Sequence, residues 1–498
     1  MKFKSSKVRF WGFLITHSFK RKIFSCRKIF LPLHVSMRRE ICPPPERRRG
    51  TRYLVELGDI FRFVILVIAV FALSACSSGA EDDNGTAVPS TIATTSAANT
   101  TPETSSTQQT SSTQQTIEPS NSGTSAGSGS IPAENDAVRV QVNRMSLDEK
   151  IGQMFIVGFT GETAGGEIKS MISKYHAGGI ILFRSNIANP SQLLSLVNSL
   201  KLLNSKNKVP LFMSVDEEGG RIGRLPDQLA KLPSNQDIGK INDARLSFSI
   251  GGALAYELKA FGFNMDFAPV IDIFSNPENT VIGNRAFGSE PDIVSSLGVQ
   301  TMKGLQEGGI IPVVKHFPGH GDTLTDSHIG LPTVDYGMDR LKSFELKPFQ
   351  AAIENKADAV MVAHILMKAI DPESPASMSK IMIADVLRNQ MGFTGVVATD
   401  DMTMGAILEN YKIGAAVVES VNAGSDIILV CHGFENQVNA INALKVSVKN
   451  GNIAEGRLNE SVYRILKLKE KYKISDKRSI PVDVDKINST INDVLNSR

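Results

Sequence analysis

Short apolar runs recur eight times between residues 136 and 473, at 155–158, 179–183, 211–215, 263–268, 311–314, 359–363, 396–399 and 427–430. Most lack period-two alternation, the pattern of strands buried on both faces of a parallel sheet. Stretches with helical spacing separate them, among them 190–203, 292–307, 339–356 and 411–423. Eight strands alternating with helices over about 340 residues predict an α/β fold of the (β/α)8 barrel type, an architecture of ~250 residues or more. An open doubly wound sheet is the structural alternative, but no glycine-rich phosphate fingerprint follows the first run.

Upstream the pattern changes. Residues 63–75 (FVILVIAVFALSA) form an apolar run that ends at Cys76. It is short for a membrane span and suits a signal-peptide core. Leu73-Ser74-Ala75-Cys76 resembles a bacterial lipobox, which makes Cys76 the expected lipidation site after cleavage. Residues 77–135 are rich in Ser, Thr, Gln, Gly and Asn, with a tandem TSSTQQ at 104–115. Such a segment buries too little apolar surface to offset chain entropy and reads as a disordered tether. The expected organisation is a basic extension and lipoprotein signal peptide (1–75), a linker (76–135), a barrel (136–475) and a helical tail (476–498). Residues 484–495 in that tail have helical spacing and are expected to pack on the barrel.

Charge sharpens the division. Residues 1–75 carry 16 Lys and Arg against 4 Asp and Glu, a net of +12; the whole chain is +3, so the part from Cys76 onward is −9. The exported part is therefore acidic and has no basic footprint for nucleic acid. The basic region before the apolar run is longer than usual for a signal peptide, which points to a start of translation nearer Met37 or Val55. The cysteines stand at 26, 42, 76 and 431. No structural disulfide is expected, and Cys431 reads as a small buried hydrophobe.

Polar groups stand just past the apolar runs: Asp216-Glu217-Glu218-Gly219-Gly220-Arg221, Asp272, Lys315-His316, His364 and Asp400-Asp401. In a barrel, functional groups gather where strands end on the carboxyl side. Charged or imidazole groups at five of eight strand ends are costly to hold as mere packing. The densest string, KHFPGHGDTLTDSH at 315–328, holds three His, two Asp and one Lys.

That string, together with DEEGGRIGRL (216–225), GNRAFG (283–288), AVMVAHI (359–365) and GVVATDDMTM (395–404), closely resembles glycoside hydrolase family 3, in its single-domain β-N-acetylhexosaminidase branch. The resemblance covers about 140–475. It implies a retaining exo-glycosidase that removes terminal β-linked N-acetylglucosamine from peptidoglycan fragments or chitin-type oligosaccharides, without a cofactor. Asp400 matches the family's nucleophile. His328, on a mobile loop, matches the acid/base of this branch, with Asp326 beside it. The chemistry fits, because retention needs a carboxylate on one face of the sugar and a proton donor on the other. Histidine has an unperturbed pKa of ~6.5. A carboxylate at Asp326 would hold one ring N–H and leave the other nitrogen for the glycosidic oxygen.

Asp401 is the alternative nucleophile; in an extended strand it would face away from Asp400. Asp216, Arg285, Lys315 and His316 match residues that hold the sugar. His364 is expected to line the pocket as a substrate contact or to stand just behind it. Asp272 and Arg221 are expected either to pair near the rim or to serve the site, and His320 and Asp322 to shape the loop. Glu217 stands where the branch commonly has Gln, and would add negative charge if it faced the pocket. Nothing resembling the second α/β domain of the family's β-glucosidases follows the barrel, which points to hexosaminidase over glucosidase.

Other readings stay open at this level. His316, His320, Asp322, Asp326 and His328 offer enough nitrogen and oxygen for zinc, although Pro318 and the glycines break any helix that would align them; the favoured reading has no metal. Phosphate is an alternative acceptor to water, because an imidazole acid/base repels an anion less than a carboxylate does. A glycan-binding lipoprotein without catalysis would need the gripping groups but no nucleophile. The expected whole is a monomeric enzyme outside the cytoplasm, anchored to the membrane through Cys76, with an oligosaccharide as partner.

Overall fold

Eight parallel strands close a barrel in chain order: β1 (Phe155–Val157), β2 (Gly179–Leu182), β3 (Phe212–Val215), β4 (Met265–Asp266), β5 (Ile311–Phe317), β6 (Ala359–Val362), β7 (Val396–Asp401) and β8 (Ile427–Val430). Closure pairs Phe155 of β1 with Ile428 of β8, and Ile156 with Gly179 of β2. This computed structural model describes residues 136–497; the basic extension, the apolar run ending at Cys76 and the Ser/Thr-rich segment lie outside them. Each of the eight apolar runs becomes a barrel strand. Their missing alternation has a plain cause: one face fills the barrel and the other packs under helices, so both are buried. Pro269 has no N–H for the ladder, and β4 stops short of it, with Val270 bridging to Lys315.

The helices carry legible start and stop signals. Pro190–Leu203 begins on Asn189, whose side chain accepts from the Gln192 N–H. Ala244–Phe261 begins on Asp243 and stops at Gly262, whose φ of +89° suits glycine alone among common residues. One expected helix divides. Residues 339–356 form Met338–Ser343 and Lys347–Glu354, because Phe344 leaves helical geometry and Pro348 opens the second helix. At the break Glu345 turns inward and pairs with Arg340 at 2.9 Å. The tail helix Val484–Asn496 buries Ile487 and Ile491 and packs on Ala244–Phe261.

Two strands carry an extra residue near the carboxyl end of the barrel. On β5, Val314 pairs with Val360 but Phe317 pairs with Val362. On β7, Ala398 pairs with Ile427 but Asp401 pairs with Leu429. A bulge of this kind re-aims side chains that a regular strand would send to opposite faces. Beyond the barrel, Thr333–Val334 and Leu366–Met367 form a small parallel pair that ties the segment leaving β5 to the one leaving β6.

Candidate active site

A cavity of about 260 Å³ opens at the carboxyl end of the barrel, and Asp216, Arg285, Lys315, His316, His328 and Asp400 all line it. A larger one, about 530 Å³, lies between the helix Ala137–Arg144 and residues 207–209 and contains none of the strand-end groups. The strand-end groups therefore converge on the smaller cavity.

The β5 bulge lets consecutive residues Lys315 and His316 both reach it. The Lys315 ammonium lies 2.6 Å from Asp216 Oδ1 and 2.8 Å from Glu218 Oε1. Glu218 also takes two bonds from Arg285, from Nε at 2.8 Å and from Nη2 at 2.7 Å. Burial opposes ionisation of Glu218, but Arg285 and Lys315 overcome it and hold the carboxyl far below its ordinary range. Burial likewise works against the Lys315 charge, and Asp216 and Glu218 more than restore it. His316 Nδ1 lies 2.6 Å from Asp272 Oδ2, so this nitrogen carries the proton; its Nε2 accepts from Arg285 Nη2 at 3.3 Å. Asp272 also accepts the His320 N–H at 2.7 Å.

The β7 bulge acts in the same way, and it corrects the expectation that Asp400 and Asp401 face apart: both line the cavity. They differ in what they are free to do. Asp401 is occupied, accepting from Thr403 N (2.9 Å), Thr403 Oγ1 (2.6 Å) and Cys431 N (2.9 Å). Among the described residues, Asp400 accepts one hydrogen bond, from the Asp401 N–H at 2.8 Å. Burial would raise the Asp400 carboxyl, yet the fields of His364 and His316, the Asp401 N–H and Lys315 hold it below the ordinary value.

His328 reaches the cavity from the loop after β5, its side chain 71% exposed. Its Nδ1 lies 2.8 Å from Asp326 Oδ1, which also accepts the His328 N–H at 2.9 Å. Burial would raise Asp326, but these bonds and the His328 charge hold it below the ordinary value. Asp326 acts on the cavity through His328 and is absent from its wall.

Other expectations are corrected. His364 is fully buried and does not line the cavity: its Nδ1 lies 2.7 Å from Ser377 Oγ and its Nε2 donates to the Asp401 carbonyl at 3.0 Å. With both nitrogens taken, it stands behind the aspartate pair. Arg221 makes no pair with Asp272; its Nη2 donates to the carbonyls of Thr280, Val281 and Ile282. Glu217 turns away from the cavity, accepting from the N–H groups of Arg224 (2.6 Å) and Leu225 (3.0 Å), so it adds no charge there. His320 shapes the loop through Thr323 Oγ1 at 2.6 Å, and its unpartnered Nε2 belongs to a ring that lines the cavity. Burial pushes it down to about 4, and the ring is neutral.

Sequence reasoning missed Glu218, the residue that ties Lys315 to Arg285. Its signal was available, since it stands two positions from Asp216 and consecutive even positions of an extended chain share a face. It also missed Arg224 and the paired rings of Phe183 and His432, 4.9 Å apart and tilted by 34°, all on the cavity wall. Nothing in their local sequence marks them. Among the described residues no group of three or more His, Cys, Asp or Glu is disposed to hold a metal ion.

Comparison with known proteins gives the family. Residues 146–468 match the glycosyl hydrolase family 3 N terminal domain. Beta-hexosaminidase A of Pseudoalteromonas piscicida is 34% identical over 329 residues, which are 61% of this chain and 55% of that protein. The beta-hexosaminidase of Nitrosomonas eutropha is 37% identical over 261 residues, 51% of this chain and 74% of that protein. This chain thus spans about half of the first relative and most of the second. The structure of a glycoside hydrolase family 3 beta-N-acetylglucosaminidase from a Paenibacillus species matches with a TM-score of 0.68 and 39% identity, covering 70% of this chain and 68% of that one. With the domain matched over more than half its length and the barrel closed as described, this chain belongs to glycoside hydrolase family 3.

Proposed function

We propose that this chain is an exo-acting, retaining β-N-acetylglucosaminidase working on peptidoglycan fragments or chitin-type oligosaccharides. One observation carries the reading: Asp400, with a carboxylate oxygen that no group among the described residues bonds, and His328, held by Asp326, open onto the same cavity. The names of the two bacterial relatives and of the Paenibacillus structure support the sugar.

In the first step an Asp400 oxygen attacks the anomeric carbon. The bond to the leaving oxygen breaks, and that oxygen takes the proton from His328 Nε2. In the second, water attacks the same carbon and gives its proton back to Nε2 as the bond to Asp400 breaks. Asp326 keeps Nδ1 protonated and the ring oriented. Asp216, Lys315 and Arg285 hold the sugar's hydroxyls, the cations donating and the carboxylate accepting, while His316, both of its nitrogens taken by Asp272 and Arg285, orients Arg285. The enzyme is a monomer outside the cytoplasm, held to the membrane by lipid on Cys76; mass measurement of the mature N-terminus tests that anchor.

A 2-fluoro glycosyl donor tests the chemistry. A covalent adduct on Asp400 is the expected result; a protein that binds the donor without any adduct is a glycan binder. Product analysis with added phosphate separates hydrolysis from phosphorolysis, free sugar being expected in both cases. Aryl β-glycosides differing only at C2 test the acetamido preference.

A further inference from the structure

From the contact between the two loops at the cavity mouth, we infer that Gly405 is a positioning residue: its missing side chain lets the segment after the nucleophile strand seat the acid/base loop. This inference rests on the roles proposed for Asp400 and His328.

The contact is backbone to backbone. A Cβ built on Gly405 would meet the His328 carbonyl oxygen at 2.6 Å, the Ile329 carbonyl oxygen at 3.0 Å and the Ile329 carbonyl carbon at 3.1 Å. Gly405 is not among the glycines with positive φ, so close approach is its requirement, with no backbone reason beside it. Next to it, the Ala406 N–H donates to the Ser327 carbonyl at 3.0 Å. Among the described residues this is the one hydrogen bond that ties residues 324–330 to another part of the chain; the remaining bonds there, such as Ile329 and Gly330 N–H to Asp326 O, are internal. Side-chain packing does little to replace it, since Leu324 and Ile329 are exposed. Ser327, by contrast, is buried at the contact.

The support runs back to the aspartate pair. Asp401 folds the turn that presents Gly405, accepting from Thr403 N and Thr403 Oγ1 through its side chain and from Met404 N through its carbonyl. Of the two consecutive aspartates, Asp400 faces the substrate and Asp401 builds the platform on which the loop of His328 rests. A rotamer change cannot relieve a clash between Cβ and a carbonyl, so a methyl group there must displace the loop.

The experiment uses the full-length chain carrying Gly405→Ala, Gly405→Val or His328→Ala, assayed on an alkyl and a 2,4-dinitrophenyl β-N-acetylglucosaminide. The dinitrophenolate leaves without a proton, so kcat/KM on that substrate reports attack by Asp400 alone. Gly405→Ala is expected to lower kcat/KM on the alkyl glycoside by roughly tenfold or more, part of the ~10²–10⁴ that a positioned acid contributes, and on the dinitrophenyl glycoside by less than about threefold. Gly405→Val is expected to do more in the same sense. Alanine is the better helix former at the start of Gly405–Leu408, so helix propensity predicts no loss. Equal losses on both substrates, or none on either, overturn the proposal while His328→Ala still discriminates between them. If His328→Ala itself treats the two substrates alike, the acid/base reading falls and this inference falls with it.

Discussion

Glu218→Gln offers the sharpest test of how this site is held together. Its carboxylate is 2% exposed and neutralises two cations at once, Arg285 at 2.7 and 2.8 Å and Lys315 at 2.8 Å. Glutamine keeps the shape and one acceptor but removes the charge, leaving the guanidinium without its bidentate carboxylate. Removing one partner of a buried pair costs about 3–5 kcal/mol; the retained amide oxygen and the surviving Asp216–Lys315 bond place this change near the lower figure. With an unfolding entropy of ~2.1 cal/mol/K per residue over the roughly 360 residues described, ~3 kcal/mol corresponds to a fall in Tm of about 4 °C. A double-mutant cycle isolates the cause. Arg285→Met should also destabilise, but Glu218→Gln with Arg285→Met should cost less than the sum of the singles by about 1.5 kcal/mol or more, because the pair is removed together. The measurement is thermal or urea unfolding of all four proteins, with kcat/KM alongside. Every variant that frees Lys315 or Arg285 should lose activity on the order of 10²-fold, the effect of misplacing a sugar ligand by about 1 Å. Strictly additive singles, or a Glu218→Gln protein with unchanged Tm, would refute the claim that this carboxylate organises the site.

Asp400→Asn should lower kcat by on the order of 10⁴-fold or more on every substrate, and near-normal turnover of an aryl N-acetylglucosaminide would remove Asp400 as nucleophile. His328→Ala should cost about 10²–10⁴-fold on an alkyl glycoside; on the dinitrophenyl glycoside, whose leaving group needs no proton, azide should capture the glycosyl-enzyme, speed turnover and give a glycosyl azide. Because Asp400 is held below its ordinary 3.8, kcat/KM on the dinitrophenyl glycoside should persist on acidification until the pH falls beneath that value; an acid limb well above it argues against the ionisation described. Glu217 is raised from 4.5, chiefly by burial. A carboxyl raised by folding gives stability that is present below its unfolded value and lost as pH rises through its folded value. Glu217→Gln should therefore melt above the wild type at neutral pH and lose that advantage near pH 4.5, with activity unchanged. A lower Tm at neutral pH would show that the charge is needed.

The sequence by itself determined an α/β fold of eight buried parallel strands and made a barrel the expected form; closure of the ring is seen in the structure. Unalternated apolar runs such as 179–183 and 427–430 permit only strands covered on both faces, and the helical spacing between them leaves parallel crossovers as the connection. It also placed Asp400, Lys315, His316 and Asp216 at the working end, because a charge at the end of a buried strand is costly unless a site employs it. It did not reveal which neighbour in a polar pair does the chemistry. Asp400 and Asp401 look alike in the chain, and only the bulge on β7, with the bonds from Thr403 and Cys431, leaves Asp400 open and Asp401 occupied. Likewise Glu218 and not Glu217 meets the cations, and His364 stands behind the cavity that His320 lines. Period and composition are local properties, readable along one chain. Many of the partners that settle a side chain's charge and direction lie 30 to 99 positions away, as with Asp401 and Cys431 or Asp216 and Lys315, and closing the barrel is what brings them together.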